Sequence, residues 1–540
     1  MVADAIRGQC RMSVPAGNRI MKKIIALLIL AVAFMSDLSS AEKYELVLLN
    51  GRVIDPETKL NDIFNVGISG GRIKILTKRP ISGTRAIDAT GLVVAPGFID
   101  GHCHSIEPLS LRLVVLDGVT TCMDLEAGAS DIDLWYRSKS GVWPVNYGTT
   151  ISQEFARVAV HDPEFELGLA NDSNTLFTVR VGACEDGDCG WQTRVSDKAQ
   201  IVEINKILDE GLRLGALGVG SLLAYARQGI SSLEQYEAQK VAALYGRVTS
   251  VHSRFHGNLN PPSESAIGLD EVLTNAIALD APLIYAHNNQ HGWMEIEEKL
   301  TRLRRQGYNV WSEYYPYAAA STSVSATFLR PENITELGVD YHNMYDPITD
   351  RILGRTGYDE LVTNFPDREI ILFIPRNEGW VSEWVKSPGM TVGSDSMWNE
   401  GADWETPLFE FKGHPRTSGS HAKVLQVARE NNVPLELSIA QLSYLSAKYL
   451  GDTGLADMRE RGRIQEGMIA DITIFDPQSV RAMSTFRAGE QGAPSNGIPF
   501  VIVYGQVVVD DGEFTKTWAG QPIRFPVEVN SRYAVTRALP

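Results

Sequence analysis

Two histidines one residue apart, His102 and His104, directly follow an apolar, strand-like stretch at Gly97–Ile99. In an extended chain residues i and i+2 point to the same side, so both imidazoles face one point. Two nitrogens converging in this way form a ligand pair for a divalent cation. His252 closes the apolar stretch that begins at Val248, and His287 closes the one that begins at Leu283. Asp395 follows Gly393-Ser394 at the end of another. A single histidine ending a strand is ordinarily a hydrogen-bonded rim residue. Four histidines and an aspartate, each at a strand end, point instead to a metal site. A metal held there makes hydroxide available near neutral pH, and a neighbouring carboxylate can carry the proton.

Something must bring these strand ends to one rim. From about Gly97 to Gly462 short apolar strands alternate with longer amphipathic stretches, as βα units do. The strands expected are Gly97–Ile99, Val119–Leu125, Leu217–Gly220, Val248–His252, Leu283–His287, Asn309–Ser312 and Met390–Ser394. In a (β/α)8 barrel the residues that do chemistry sit at the C-terminal ends of the strands. On either side the texture changes to short alternating strands and turn residues, from Tyr44 to Pro96 and again after Gly467, with Asn50-Gly51 and Asp511-Gly512 read as turns. The fold expected is therefore α/β: a barrel over residues 97–462 and a small β-sandwich built from both ends of the chain, residues 42–96 and 463–540.

The stretch Ala95-Pro96-Gly97-Phe98-Ile99-Asp100-Gly101-His102-Cys103-His104 resembles the first-strand signature of the amidohydrolase superfamily. Gly462-Arg463-Ile464-Gln465-Glu466-Gly467, with Ala470-Asp471-Ile472, resembles its return to the β domain. Tyr315-Pro316-Tyr317 with Ser321-Thr322, Gly393-Ser394-Asp395 and Gly413-His414-Pro415-Arg416 extend the likeness to the N-acyl-D-amino-acid deacylases, in the branch labelled for D-glutamate. That resemblance implies one or two Zn2+ ions held by His102, His104, His252 and His287, with Asp395 as both ligand and general base. Many of these deacylases bridge the metals with a cysteine after the second strand. Here that position falls on or beside Glu126, and a carboxylate can bridge as a thiolate does. Asp124, two residues earlier on the same face, is the rival. No lysine occurs from Gly211 to Gln239, so the carbamylated-lysine bridge of other amidohydrolases is not expected.

The resemblance also implies that Tyr315, Ser321 and Arg416 hold the substrate carboxylate, since a guanidinium grips a carboxylate through two parallel hydrogen bonds. A lysine common two residues after the sixth-strand histidine is replaced by Asn289. Arg254 is a candidate reader of a side-chain carboxylate, and Tyr225 a candidate donor to the reacting carbonyl. The activity implied is hydrolysis of an N-acyl-D-amino acid, such as N-acyl-D-glutamate. The alternatives are a related hydrolase of a cyclic amide or dipeptide, or a non-catalytic scaffold, which would lack ligands.

Met21-Lys22-Lys23, the apolar run Ile24–Met35 and the small residues Ser39-Ser40-Ala41 have the three-part form of a cleaved secretory signal, with Met21 as the expected start. A periplasmic or secreted location follows, without a stable membrane anchor. Cys184 and Cys189 flank an acidic turn and are expected to form a disulfide there, whereas Cys122 is expected as a packed core thiol. The 50 Lys and Arg against 66 Asp and Glu give a net charge of −16, with no basic run. Nucleic acid is thereby excluded as a partner, and the partner that the resemblance implies is a small-molecule N-acyl amino acid.

Overall fold

The computed structural model describes residues 43–168, 171–184, 189–259 and 264–534. The secretory-type segment of residues 1–41 lies outside them.

Eight parallel strands form the barrel. We number them β1 (Phe98–Asp100), β2 (Val119–Ala129), β3 (Asn146–Ser152), β4 (Gly218–Leu222), β5 (Val248–His252), β6 (Leu283–Tyr285), β7 (Val310–Tyr314) and β8 (Thr391–Val392). Each pairs with the next in sequence order. The ring closes where Cys103 bridges Ser396 in parallel and the Asp395 N–H donates to the His102 carbonyl at 2.7 Å. Buried on both faces, these strands are near-continuous in apolar and β-branched residues. The exception is β3, Asn-Tyr-Gly-Thr-Thr-Ile-Ser, whose polar composition hides it from a hydropathy reading. Its polar groups are matched inside the protein: Asn146 Nδ2 donates to Asp471 Oδ2 at 2.8 Å and to the Thr120 carbonyl at 2.9 Å.

The outer helices follow ordinary amphipathic rules. The helix Lys198–Arg213 begins at a capping box of Asp197 and Gln200 and buries Ile201, Ile204, Leu208 and Leu212 at helical spacing. Among the described residues no helix is long and apolar enough to cross a membrane.

A nine-stranded sheet draws on both ends of the chain. Val93–Pro96 pairs antiparallel with Ile472–Phe475, and Leu48, Val66, Ile87, Ile474 and Ile502 share its apolar core. Asn50-Gly51 is no turn: it lies within the single strand Lys43–Asp55, where the register shifts between Leu48 and Gly51 and Asn50 takes φ +60°. The bulge accommodates what the sequence presents as a turn signal. Beyond Phe514 the chain leaves this sheet and runs along the barrel, where the Ile523 N–H donates to the Tyr147 carbonyl at 2.7 Å.

A third, four-stranded sheet has no counterpart in the sequence reading. Ala319–Ser323, Glu369–Phe373, Met344–Asp346 and Arg351–Ile352 form it within the long connection from β7 to β8. Its first strand carries Ser321.

The two disulfides divide the cysteine expectations. Cys184 and Cys189 are bonded, as their spacing around the acidic turn suggests. Cys122 is not a free thiol: it is bonded to Cys103, which joins the end of β1 to the middle of β2. Parallel neighbouring strands bring the two sulfurs together, a proximity that a sequence separation of 19 does not reveal. Closing a loop of that length contributes about 3 kcal/mol by the chain-entropy argument. Replacing both residues by serine should therefore lower the unfolding free energy by about that amount, read as a shift in guanidinium midpoint. An unchanged midpoint would show that the bridge constrains nothing.

Candidate metal centre

The strand ends meet as their residue types require. His102 Nε2 and His104 Nε2 face each other at 3.1 Å, and Asp395 Oδ1 lies 3.5 Å from each. Across the barrel His287 Nε2 lies 3.0 Å from His252 Nδ1. Glu126 stands between the two pairs. Its Oε2 is 3.1 Å from His102 Nε2, while its Oε1 is 3.0 Å from His287 Nε2 and 3.1 Å from His252 Nδ1. Nitrogen facing nitrogen at such distances, with a carboxylate oxygen beside each, is the arrangement of ligands around a cation. The donor set thus fits one or two divalent ions, and all of these side chains are buried.

Glu126 reaches this position through a backbone irregularity. Between the pairs Asp124–Thr149 and Ala129–Ile151, five steps of β2 run against two of β3, so the strand bulges at Glu126. Two glycines make room for the bulge. Gly128 takes φ +73°, and a Cβ on Gly220 of β4 would lie 2.3 Å from the Glu126 carbonyl oxygen. His287 and Asp395 also hold positive φ, +31° and +50°, a strained backbone at the ends of β6 and β8.

Asp124, the rival of Glu126, serves another purpose. Its Oδ2 lies 3.2 Å from His104 Nδ1 and accepts from Ser173 at 2.7 Å, while Oδ1 accepts from the Ala127 N–H at 3.0 Å. It orients His104 from behind, as Glu313 of β7 does for His102 through a short contact to Nδ1. Glu313 escaped the sequence reading although it sits near the end of a barrel strand. His256 escaped it too; its ring packs edge-on to His252 and His287, with centroids 5.0 and 4.3 Å away.

Electrostatics follow from this packing. Burial pushes the Glu126 carboxyl up, but the His102 and His287 imidazoles hold it well below the usual range. Burial works against a charged His104, yet Asp124 and Glu126 raise it to about 9. His252, buried and facing His287, falls to about 4.

A cavity of about 1030 Å³ opens above the cluster, which forms its floor. Among the described residues lining it there is no lysine, and many are apolar, including Leu176, Phe177, Phe328, Leu372 and Trp398. Tyr315 and Ser321 are on its wall; the Ser321 hydroxyl donates to Glu369, whose carboxyl burial pushes up to about 7. Asn289 secures this wall by gripping the backbone of Tyr315, donating to its carbonyl at 2.6 Å and accepting from its N–H at 3.2 Å. Tyr225 lines the cavity with its hydroxyl 2.9 Å from Thr322 Oγ1.

The arginines depart from expectation. Arg254 does not line the cavity. Its guanidinium grips both oxygens of Glu271, at 2.7 and 2.9 Å, and donates to the carbonyls of Arg227 and Ile230. With its charge already matched, it is no reader of a substrate carboxylate. Arg416 is fully buried beside Tyr315, with Nη1 2.8 Å from Asp395 Oδ2, and Nε and Nη2 have no hydrogen-bond partner.

A parallel eight-stranded barrel with paired histidines, a bridging carboxylate and an aspartate at the ends of its strands defines a metallohydrolase architecture. The chain belongs to the amidohydrolase superfamily and is similar, within it, to the N-acyl-D-amino-acid deacylases. No family model matches it. It is 24% identical over 511 residues to a D-aminoacylase of Alcaligenes xylosoxydans xylosoxydans, covering 89% of this chain and 98% of that one. It is 42% identical over 467 residues to a dihydroorotase of Geobacter metallireducens, covering 84% and 95%. The crystal structure of N-acyl-D-glutamate deacylase from Bordetella bronchiseptica, complexed with zinc and a phosphonate inhibitor that mimics the tetrahedral intermediate, matches in fold. Its TM-score is 0.70 at 22% identity, covering 90% of this chain and 100% of that one.

Proposed function

We propose that this protein hydrolyses the amide bond of N-acyl-D-amino acids, N-acyl-D-glutamate among them, at a zinc centre and outside the cytoplasm. The observation that carries the reading is Glu126, whose two carboxylate oxygens are divided between two histidine pairs. His102, His104, Glu126 and Asp395 would hold one ion, and His252, His287 and Glu126 a second. When bound, zinc lowers the pKa of water to about 7 and polarises a carbonyl oxygen.

The chain's own groups supply the rest. Asp395 takes the proton of the attacking water and returns it to the leaving nitrogen. Arg416 holds the other oxygen of Asp395 and fixes which face of the carboxylate receives that proton. Tyr315 and Ser321 on the cavity wall, with the unpaired donors of Arg416 beside Tyr315, would hold the substrate's α-carboxylate and thereby set which enantiomer presents its amide. Burial keeps Tyr225 neutral, as a donor to the carbonyl must be. Two disulfides support an oxidising location.

Amino-acid release from N-acetyl-D-glutamate and N-acetyl-L-glutamate by the zinc-loaded protein tests this reading. Turnover of the D form alone is expected, and turnover of neither would overturn the assignment. A second reading, hydrolysis of a cyclic amide, is favoured by the 42% identity to a dihydroorotase. Ring opening of dihydroorotate in the same assay, without deacylation, would select it.

A further inference from the structure

Of four arginines near the metal centre, Arg180 and Arg376 line the cavity while Arg254 and Arg416 do not, and all but Arg376 are matched by acids. Arg254 pairs with Glu271, Arg416 lies against Asp395, and Arg180 grips Glu154 with two contacts of 2.6 and 2.9 Å while covering the Tyr225 ring. Arg376 is different. It lines the cavity from the turn Pro375–Trp380, yet no carboxylate of the described residues pairs with it. Its contacts are to backbone: Nη1 donates to the Leu337 carbonyl at 2.6 Å and Nη2 to the Gly257 carbonyl at 3.5 Å, while Nε has no partner.

Those carbonyls anchor the guanidinium without neutralising it. Burial lowers its pKa, the direction that disfavours its charge. A half-buried cation without a counterion is costly unless a bound anion completes it. Its place is fixed relative to the metal centre as well. The neighbouring Asn377 donates to the Asn289 carbonyl at 2.6 Å, and Asn289 lies two residues after His287. The guanidinium therefore belongs to the wall that rises from the His252–His287 side, where His256 and Gly257 also line the cavity.

We infer that Arg376 binds a second carboxylate on the substrate, making the protein selective for N-acylated acidic amino acids over their neutral isosteres. This rests on the deacylase reading and on an α-carboxylate held separately by Tyr315, Ser321 and Arg416. It assigns to Arg376 the task that the ion-paired Arg254 cannot perform. The apolar residues elsewhere on the wall are left for the acyl group.

The test compares N-acetyl-D-glutamate with N-acetyl-D-glutamine, which differ in charge and hardly in shape. The zinc-loaded wild type should favour the glutamate compound in kcat/KM by at least about tenfold. In Arg376→Met the ratio of the two kcat/KM values should fall on the order of a hundredfold, mainly through KM for the glutamate compound. Arg376→Lys should recover part of the ratio, because a point charge replaces the planar fork. Being a ratio within one preparation, the readout is insensitive to partial misfolding. A wild type without preference, or an unchanged ratio in Arg376→Met, would overturn the inference. If the wild type cleaves neither compound, the deacylase reading fails on its own account. Calorimetric binding of the two compounds then decides about Arg376: loss of glutamate-selective affinity in Arg376→Met sustains it, and equal affinities in both proteins overturn it.

Discussion

Exchange of Glu126 for alanine is expected to remove at least one equivalent of bound metal and to lower kcat/KM by about a thousandfold or more. Supporting residues around metal ligands are typically worth about 10–100-fold, and Glu126 occupies the more demanding position between the two histidine pairs. Among the described residues its two oxygens are the only anionic contacts shared by both pairs: His102 and His104 on one side, His252 and His287 on the other. Without it four imidazoles converge with Asp395 alone to balance a dication. Glu126→Asp is the informative companion, because a side chain one carbon shorter cannot serve both pairs from the same bulge. It should retain one ion where the wild type holds more. Asp124→Asn, by contrast, loosens His104 without deleting a ligand and should cost only about 10–100-fold. Metal analysis of purified protein and steady-state rates read both quantities. Full metal content in Glu126→Ala would remove the bridging role.

The second large effect is expected at Asp395. Asp395→Asn preserves size but removes the group that accepts a proton, so kcat should fall by about 10²–10⁴ while KM changes little. Position argues for this role. The φ of +50° turns the carboxylate so that Oδ1 lies 3.5 Å from both His102 and His104, while Oδ2 rests 2.8 Å from Arg416. Arg416→Lys keeps the charge but loses the planar fork, and should reduce kcat less than Asp395→Asn does. Single-turnover kinetics separate this loss of chemistry from slow product release. A variant Asp395→Asn with wild-type kcat would place the base elsewhere.

The site was more legible than its surroundings, for a physical reason. Histidines closing apolar strands stand out because few other residue types bind metal there, so His102, His104, His252, His287 and Asp395 could be placed on one rim from spacing alone. Glu126 against Asp124 could not be separated, since alternation along a strand puts both on one face. A three-residue bulge, with the glycine at 220 against it, puts Glu126 between the histidine pairs and Asp124 behind His104, and neither leaves a trace in hydropathy. Arg254 misled for a related reason: its place two residues after His252 says nothing of Glu271, which lies on a separate helix, Glu264–Leu279. The four-stranded sheet that carries Ser321 was hidden because its strands are short and divided by turns within a long connection. β3 was hidden because its buried groups are polar and satisfied by distant partners such as Asp471.

The bridge between Cys103 and Cys122 bears on how the centre comes to hold its metal. Cys103 stands between two ligands, so before folding the stretch His102-Cys103-His104 is a linear chelator with a soft thiolate at its middle. Such a trio binds zinc as well as copper(I), and a metal held on the thiolate competes with the disulfide for the same sulfur. Once the sulfur is oxidised it is buried with Phe98 and Leu111, and only the hard and borderline donors remain. Refolding the reduced chain in the presence of metal before the disulfide forms should therefore hold metal on Cys103 and slow formation of the bridge. Oxidation first, metal second, is the order this architecture demands.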